Sequence, residues 1–207
     1  QMIYKLSQVI NNDRAVNDKM RVLFVEDYRV TLAELMIPAA EISEQISLAS
    51  TEASGTSNMK FMMNGAITLG TEDGANVEIH SAVGDDNILI FGMQTPEVLK
   101  MQKTGYSPIS YYNNNSDLRK ALDFIGRGID GQQFDNIYNT LKNVDRYMAL
   151  ADYADYCEAH KKAMELYNKP DVWNKMSLVN IAKSGIFAAD RSIDDYAKNI
   201  WHLDKVK

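Results

Sequence analysis

The stretch from Thr51 to Gly70, TEASGTSNMKFMMNGAITLG, constrains the fold more than any other part of the chain. It is entered through Ser50 and opens small and polar, with Thr51, Ser54, Gly55, Thr56 and Ser57. It then turns apolar around a single basic residue, Met59-Lys60-Phe61-Met62-Met63, breaks at Gly65 and ends in the short run Ala66–Leu69. This succession reads as a loop feeding the N-terminus of a helix, followed by a buried strand. The backbone N–H groups of Gly55, Thr56 and Ser57, free of intrahelical partners, would point at one spot where an anion could sit. Lys60 would stand about one helical turn further on. Lysine is almost never fully buried unless paired, so a lysine inside an apolar helix either reaches solvent or has a chemical partner.

The flanking sequence supplies a frame for that stretch. Met2, Ile3, Leu6, Val9 and Ile10 recur at helical spacing, which predicts a helix over residues 1–12 ended by Asn11-Asn12-Asp13. Arg21–Val25 (RVLFV) reads as a short strand with both faces buried, and Val30–Ile37 as a helix stopped by Pro38. Ile42–Leu48 is ambiguous and fits a short strand after a turn. Thr71–Gly74 is a turn, Ala75–Val83 a short helix, Gly84–Asn87 a second turn and Ile88–Phe91 a buried strand. The short strands lack polar alternation, which predicts an α/β fold: a Rossmann-like parallel sheet with helices on both faces. Ligands of such sheets bind at the carboxyl ends of the strands, the edge to which Tyr28-Arg29 and the loop Glu52–Ser57 both belong.

From Thr95 the character changes. Thr95-Pro96-Glu97 starts a helix with Pro just inside it. Pro108, Asn113-Asn114-Asn115-Ser116 and Gly126, Gly128 and Gly131 punctuate short helices, and longer ones are expected over 149–167 and 171–187, broken at Lys169-Pro170. Ser192–His202 reads as a last helix, with Ser192 and Asp195 as a capping pair. The expected organisation is therefore an α/β cofactor-binding part over 1–94 and a mainly helical cover of the same domain over 95–207.

Composition narrows the function classes. A net charge of −6 argues against a nucleic-acid footprint and against an anionic membrane surface. The single cysteine, Cys157, leaves no internal disulfide and no CxxC knuckle, and it fits a reducing, cytoplasmic setting as a small buried hydrophobe. No apolar run approaches the roughly 20 residues of a membrane span. The start, QMIYKLSQVINND, is amphipathic, so no signal peptide is expected, and without an initiator Met the chain is expected to be a piece of something longer. His80, His160 and His202 are scattered with no metal spacing and read as structural. Glu72-Asp73 reads as a turn with a minor claim to a site role. Tyr111, Tyr112, Tyr147, Tyr153 and Tyr156 read as packing residues, and Met59, Met62 and Met63 as packing around the cofactor side of the sheet.

A pyridoxal 5'-phosphate site needs a lysine amine that can form a Schiff base and a cradle for the cofactor phosphate. Lys60 with Ser54-Gly55-Thr56-Ser57 supplies both. Beyond that pattern, EASGTSNMKFMMNGAITLGTEDGANVEI (Glu52–Ile79) resembles the pyridoxal-phosphate segment of the α-glucan phosphorylases, the glycogen, starch and maltodextrin enzymes. VEDYRVTLAELMIPAAEISEQIS (Val25–Ser47) is similar to the same family, as are Ile90–Met93, Ala151-Asp152-Tyr153 and Ala188–Tyr196. The resemblance covers essentially the whole chain but only the C-terminal portion of the family's much longer one.

The resemblance implies that Lys60 is the Schiff-base lysine, that Gly55 and Thr56 hold the cofactor phosphate, and that Tyr28 and Arg29 lie beside the ring and phosphate. It implies that Glu52, Ser54 and Gly55 contact hydroxyls of the glucosyl unit at the catalytic site. Ser57 departs from the glycine many members carry and still suits a helix start. The implied parent is a homodimeric enzyme of two-lobed GT-B architecture, in which the cofactor phosphate relays a proton to substrate phosphate and Lys60 is an anchor. Its partners would be the α-1,4-glucan, inorganic phosphate, glucose 1-phosphate and the remainder of the phosphorylase chain. The family's other basic phosphate-binding residues and the cleft-closing N-terminal domain are upstream of the matched segment, so this chain alone is expected to be inactive. The rival readings are a nucleotide-sugar glycosyltransferase without the cofactor, which would not need Lys60, and a structural module. An aminotransferase-like enzyme is disfavoured because no acidic partner for a pyridine nitrogen stands out.

Overall fold

The computed structural model of the chain describes residues 1–204. In chain order its elements are α1 (Met2–Asn12), α2 (Val30–Met36), β1 (Ile42–Gln45), α3 (Ser57–Met63), β2 (Ile67–Gly70), α4 (Asn76–Val83) and β3 (Leu89–Ile90). There follow α5 (Thr95–Thr104), α6 (Pro108–Asn114), α7 (Ser116–Gly126), α8 (Asp135–Asn143), α9 (Ala149–Tyr167), α10 (Pro170–Lys183) and α11 (Ala189–Tyr196). These residues form two compact units, one of Gln1–Ala33 with Leu99–Ala154, the other of Glu34–Val98 with the chain from Asp155 onward.

The second unit holds the sheet. Its strands are parallel in the order β1-β2-β3, with Ile42 opposite Ile67, Gln45 opposite Gly70 and Leu69 opposite Leu89. Every residue of β2 is buried, which is why its sequence shows no polar alternation. One sheet face packs Ile67, Leu69, Leu89 and Phe91 against Ala159 and Ala163 of α9 and Trp173 and Met176 of α10. On another cluster Met62 of α3 meets Ile79 and Val83 of α4 and Ile88. Each large apolar side chain buried in this way contributes about 1.5–3 kcal/mol. The Trp173 indole N–H, which must find an acceptor in such a core, donates to Glu41 at 2.7 Å. The expected α/β class with a parallel sheet and helices on both faces is what the strands and helices form.

The first unit is helical. Leu118 and Leu122 of α7 and Leu150 of α9 form its apolar centre, with Tyr111, Tyr112 and Tyr138 packed on them. Asn115 caps α7 by accepting from the N–H groups of Asp117 and Leu118, both at 3.0 Å. Asp145, buried, does the same for α9, accepting from Ala149 N and Leu150 N and from the Tyr106 hydroxyl.

Three local expectations need correction. Arg21–Val25 is not a strand: Leu23 is 76% and Phe24 61% exposed. The Asn11 side chain takes both backbone groups of Val22, donating to its C=O at 2.9 Å and accepting from its N–H at 2.8 Å. Those groups are therefore satisfied by a side chain and not by a ladder. Ser192 does not cap the last helix, because α11 already begins at Ala189. Asp195 instead pairs with Arg191 one turn earlier, and a π turn over Ala197–Trp201 follows. Tyr147 is exposed and not a packing residue.

Candidate active site

The chain leaves the carboxyl end of β1 at Gln45 and reaches α3 at Ser57 through a loop without regular structure. A loop of that length must satisfy its backbone polar groups elsewhere. Here the turn that follows β2 supplies the partners. Asp73, 5% exposed, accepts through Oδ1 from Ser50 N at 2.9 Å. Through Oδ2 it accepts from the Ser47 hydroxyl at 2.7 Å, Thr51 N at 3.3 Å and Glu52 N at 2.8 Å. Thr71 donates its hydroxyl to Ser47 O at 2.6 Å, and Ala75 N donates to Ser54 O at 2.6 Å. Gly74 lies at φ +51, and a Cβ there would stand 2.5 Å from Ser54 O, so the two segments touch through a position only glycine fills.

Beneath α3 lies a buried polar chain. Asn58 Nδ2 donates to Asn76 Oδ1 at 3.0 Å, and Asn76 Nδ2 donates to Thr71 O at 3.0 Å and Gln45 O at 3.3 Å. These amides tie the first turn of α3 to the end of β1 and the start of α4. The Gln45 side chain in turn donates to Ser43 Oγ at 2.9 Å and to Ser57 Oγ at 3.4 Å.

On this support Glu52, Ser54, Gly55, Thr56 and Lys60 follow one another along a single continuous path. Glu52 is exposed and accepts weakly from Ser54 N at 3.4 Å. Gly55 takes φ +82, which turns the chain into Thr56, the residue preceding α3. Among the described residues the N–H groups of Gly55, Thr56 and Ser57 have no acceptor, as expected at a helix start without a side-chain cap. Lys60 lies in the last turn of α3, exposed, and its ammonium group makes no hydrogen bond or ion pair among the described residues. The helix partner that faces the core is Met62, fully buried, whereas Met63 is 39% exposed. Tyr28 and Arg29 belong to the first unit, where Tyr28 is exposed and the Arg29 guanidinium donates to Asp27 at 2.5 Å.

Asn76 is a residue that reading the sequence did not weight, and Asp73 is one to which it gave only a minor claim. Their signal was present in TEDGAN, a carboxylate and an amide bracketing a glycine just past a strand end. Composition alone does not distinguish a solvated turn from one whose side chains face inward. His80 is likewise better placed than its isolation in sequence suggested, with Nδ1 2.9 Å from Glu72 Oε2 and Nε2 2.7 Å from Asp85 Oδ1. Burial disfavours the charged ring, but the hydrogen bonds to Asp85 and Glu72 outweigh it and hold the His80 pKa above its ordinary value. Among the described residues no group of three or more His, Cys, Asp or Glu side chains could hold a metal ion. Nor, among them, is any helix long and apolar enough to cross a membrane.

Among the described residues the structure thus joins a parallel sheet to a helix start with free N–H groups and, one turn on, an exposed lysine without a hydrogen-bond or ion-pair partner, in an α/β module. The chain belongs to the carbohydrate phosphorylase family, whose model matches residues 1–203. It is 46% identical to glycogen phosphorylase, muscle form, of Rattus norvegicus over 99% of this chain and 25% of that protein. It is 46% identical to the liver form of Homo sapiens and 45% to the liver form of Bos taurus, each over 99% of this chain. The chain thus spans about a quarter of the length of the curated relatives it matches.

Proposed function

We propose that the protein to which this chain contributes phosphorolyses α-1,4-glucans, releasing glucose 1-phosphate. The bond between the anomeric carbon and the glycosidic oxygen breaks, a phosphate oxygen takes the anomeric carbon, and one proton ends on the freed hydroxyl of the shortened glucan. Pyridoxal 5'-phosphate is the cofactor of this reading. Lys60 anchors it through its amine, and the N–H groups of Gly55 and Thr56 hold its phosphate. When bound, the cofactor supplies a phosphate group that exchanges a proton with substrate phosphate.

The observation that carries the reading is the path from Glu52 to Lys60. Its exposed carboxylate and Ser54 suit recognition of sugar hydroxyls. Its unsatisfied N–H groups suit a phosphate. Its lysine is exposed and unpaired among the described residues, so the amine is free to react. Relatives named glycogen phosphorylase support glycogen as the glucan. The same family reading makes the parent a cytoplasmic homodimer, with the rest of the phosphorylase chain as partner to this portion. A cleft that must clamp two phosphates needs two walls, so the activity is assigned to the parent protein and not to this portion alone.

The test is glucose 1-phosphate formation from glycogen and inorganic phosphate by the full-length protein and its Lys60→Ala variant, with borohydride reduction and peptide mapping of the wild type. The expected result is a cofactor adduct on Lys60 and no turnover in the variant. An adduct mapped to another lysine, or undiminished turnover in the variant, would overturn the assignment.

A further inference from the structure

A carboxylate taken out of water is costly unless hydrogen bonds replace its hydration. Among the described residues Asp73 has that replacement without a cation: one hydroxyl and three backbone N–H groups surround it, all from residues 47–52. Bonds to a charged acceptor are the stronger kind. They are spent on a loop whose Ser50 is held at φ +76, a conformation a side-chain-bearing residue rarely adopts unless its surroundings impose it. The last of the four donors is the N–H of Glu52 itself, where the residues assigned to the sugar begin.

We propose that Asp73 is the positioning residue of the site: its buried carboxylate gathers the Ser47 hydroxyl and the Ser50, Thr51 and Glu52 N–H groups and so sets the path by which Glu52, Ser54 and Gly55 reach the glucosyl unit. The role of those three residues rests on the function proposed above; the clamp itself does not. The turn carrying Asp73 reinforces the same path further along, since Ala75 N holds Ser54 O and the Gly74 backbone closes on Ser54. The carboxylate is used unevenly. Oδ1 serves Ser50 alone, whereas Oδ2 serves the other three donors. An asparagine at 73 keeps one acceptor oxygen; turned toward the three donors, it presents its NH₂ to the Ser50 N–H. Asp73→Asn therefore releases chiefly Ser50, and Asp73→Ala releases Ser50 N, Glu52 N and the Ser47 hydroxyl, while Thr51 N keeps its bond to Leu48 O at 3.0 Å.

The experiment compares amide hydrogen exchange and steady-state kinetics in the full-length protein and its Asp73→Asn and Asp73→Ala variants. Exchange is expected to rise at Ser50 in Asp73→Asn and at Ser50 and Glu52 in Asp73→Ala, with the β2 amides of Ile67–Leu69 unchanged. In Asp73→Ala the KM for glucose 1-phosphate rises and kcat falls, with kcat/KM lower by about 100-fold, the scale of an ångström of misplacement. Asp73→Asn shows a smaller change of the same kind, and it carries the test if Asp73→Ala does not fold. Exchange at Ser50 and Glu52 equal to wild type, or a rise shared equally by β2, would overturn the proposal. A fall in kcat with KM unchanged would do so too, because that reports fewer folded molecules and not a displaced loop. Failure of the proposed function would appear separately, as a wild-type protein that forms no glucose 1-phosphate, and the exchange measurement needs no activity.

Discussion

Replacing Gly74 by alanine adds a methyl group where the structure has no room for one. The residue sits at φ +51, and the new Cβ would stand 2.5 Å from Ser54 O and 2.9 Å from Glu52 Cγ. The left-handed conformation costs a residue with a Cβ about 1–2 kcal/mol. The Ser54 carbonyl must also retreat from 2.5 Å to the 3.4 Å at which ordinary contact begins. That breaks its 2.6 Å bond from Ala75 N, a loss of about 1 kcal/mol. Forcing a loop already held by Asp73 adds strain of about 1 kcal/mol or more. Together these effects cost about 3 kcal/mol relative to the wild type. With a urea slope of about 1–3 kcal/mol/M, the midpoint of Gly74→Ala falls roughly 1 M or more below that of the wild type. Coincident midpoints would refute the close packing of the turn on the loop.

Two further outcomes follow from the same unit. The His80 pKa is raised in the folded chain, so its contribution to stability is fully present below the ordinary value of 6.5 and is lost as pH rises through the folded value. The stability difference between wild type and His80→Gln should accordingly be larger at pH 6 than at pH 9, and an NMR titration placing His80 at or below 6.5 would contradict the geometry with Glu72 and Asp85. Leu69→Ala, at a fully buried β2 position between β1 and β3, should cost about 2–5 kcal/mol by chemical denaturation, and a loss under 1 kcal/mol would show that the sheet core is not continuous there.

Much of the sheet was legible because its strands are buried on both faces, which leaves runs such as Ala66–Leu69 without polar alternation. Helix α9 was legible to the residue, since periodicity over 149–167 is long enough to be unambiguous. RVLFV misled for the converse reason: β-branched and aromatic residues describe a side-chain preference, and a strand exists only where a neighbour pairs its backbone. Val22 found Asn11 instead.

The candidate site divides along the same line. Lys60 and the Gly55–Ser57 donors were readable from order alone, because a helix start leaves its first N–H groups unpaired whatever the rest of the chain does. Glycine at 55 likewise announces a conformation that the backbone requires locally. Asp73 could not be read in that way. Its meaning depends on the loop it faces, more than 20 positions earlier in the sequence. The parallel register of β1 with β2 brings the ends of both strands to one edge of the sheet and so sets that loop against the turn. Local rules thus determined which backbone groups a helix start leaves unpaired, and the tertiary pairing decided which buried carboxylate holds the loop from Ser47 to Glu52.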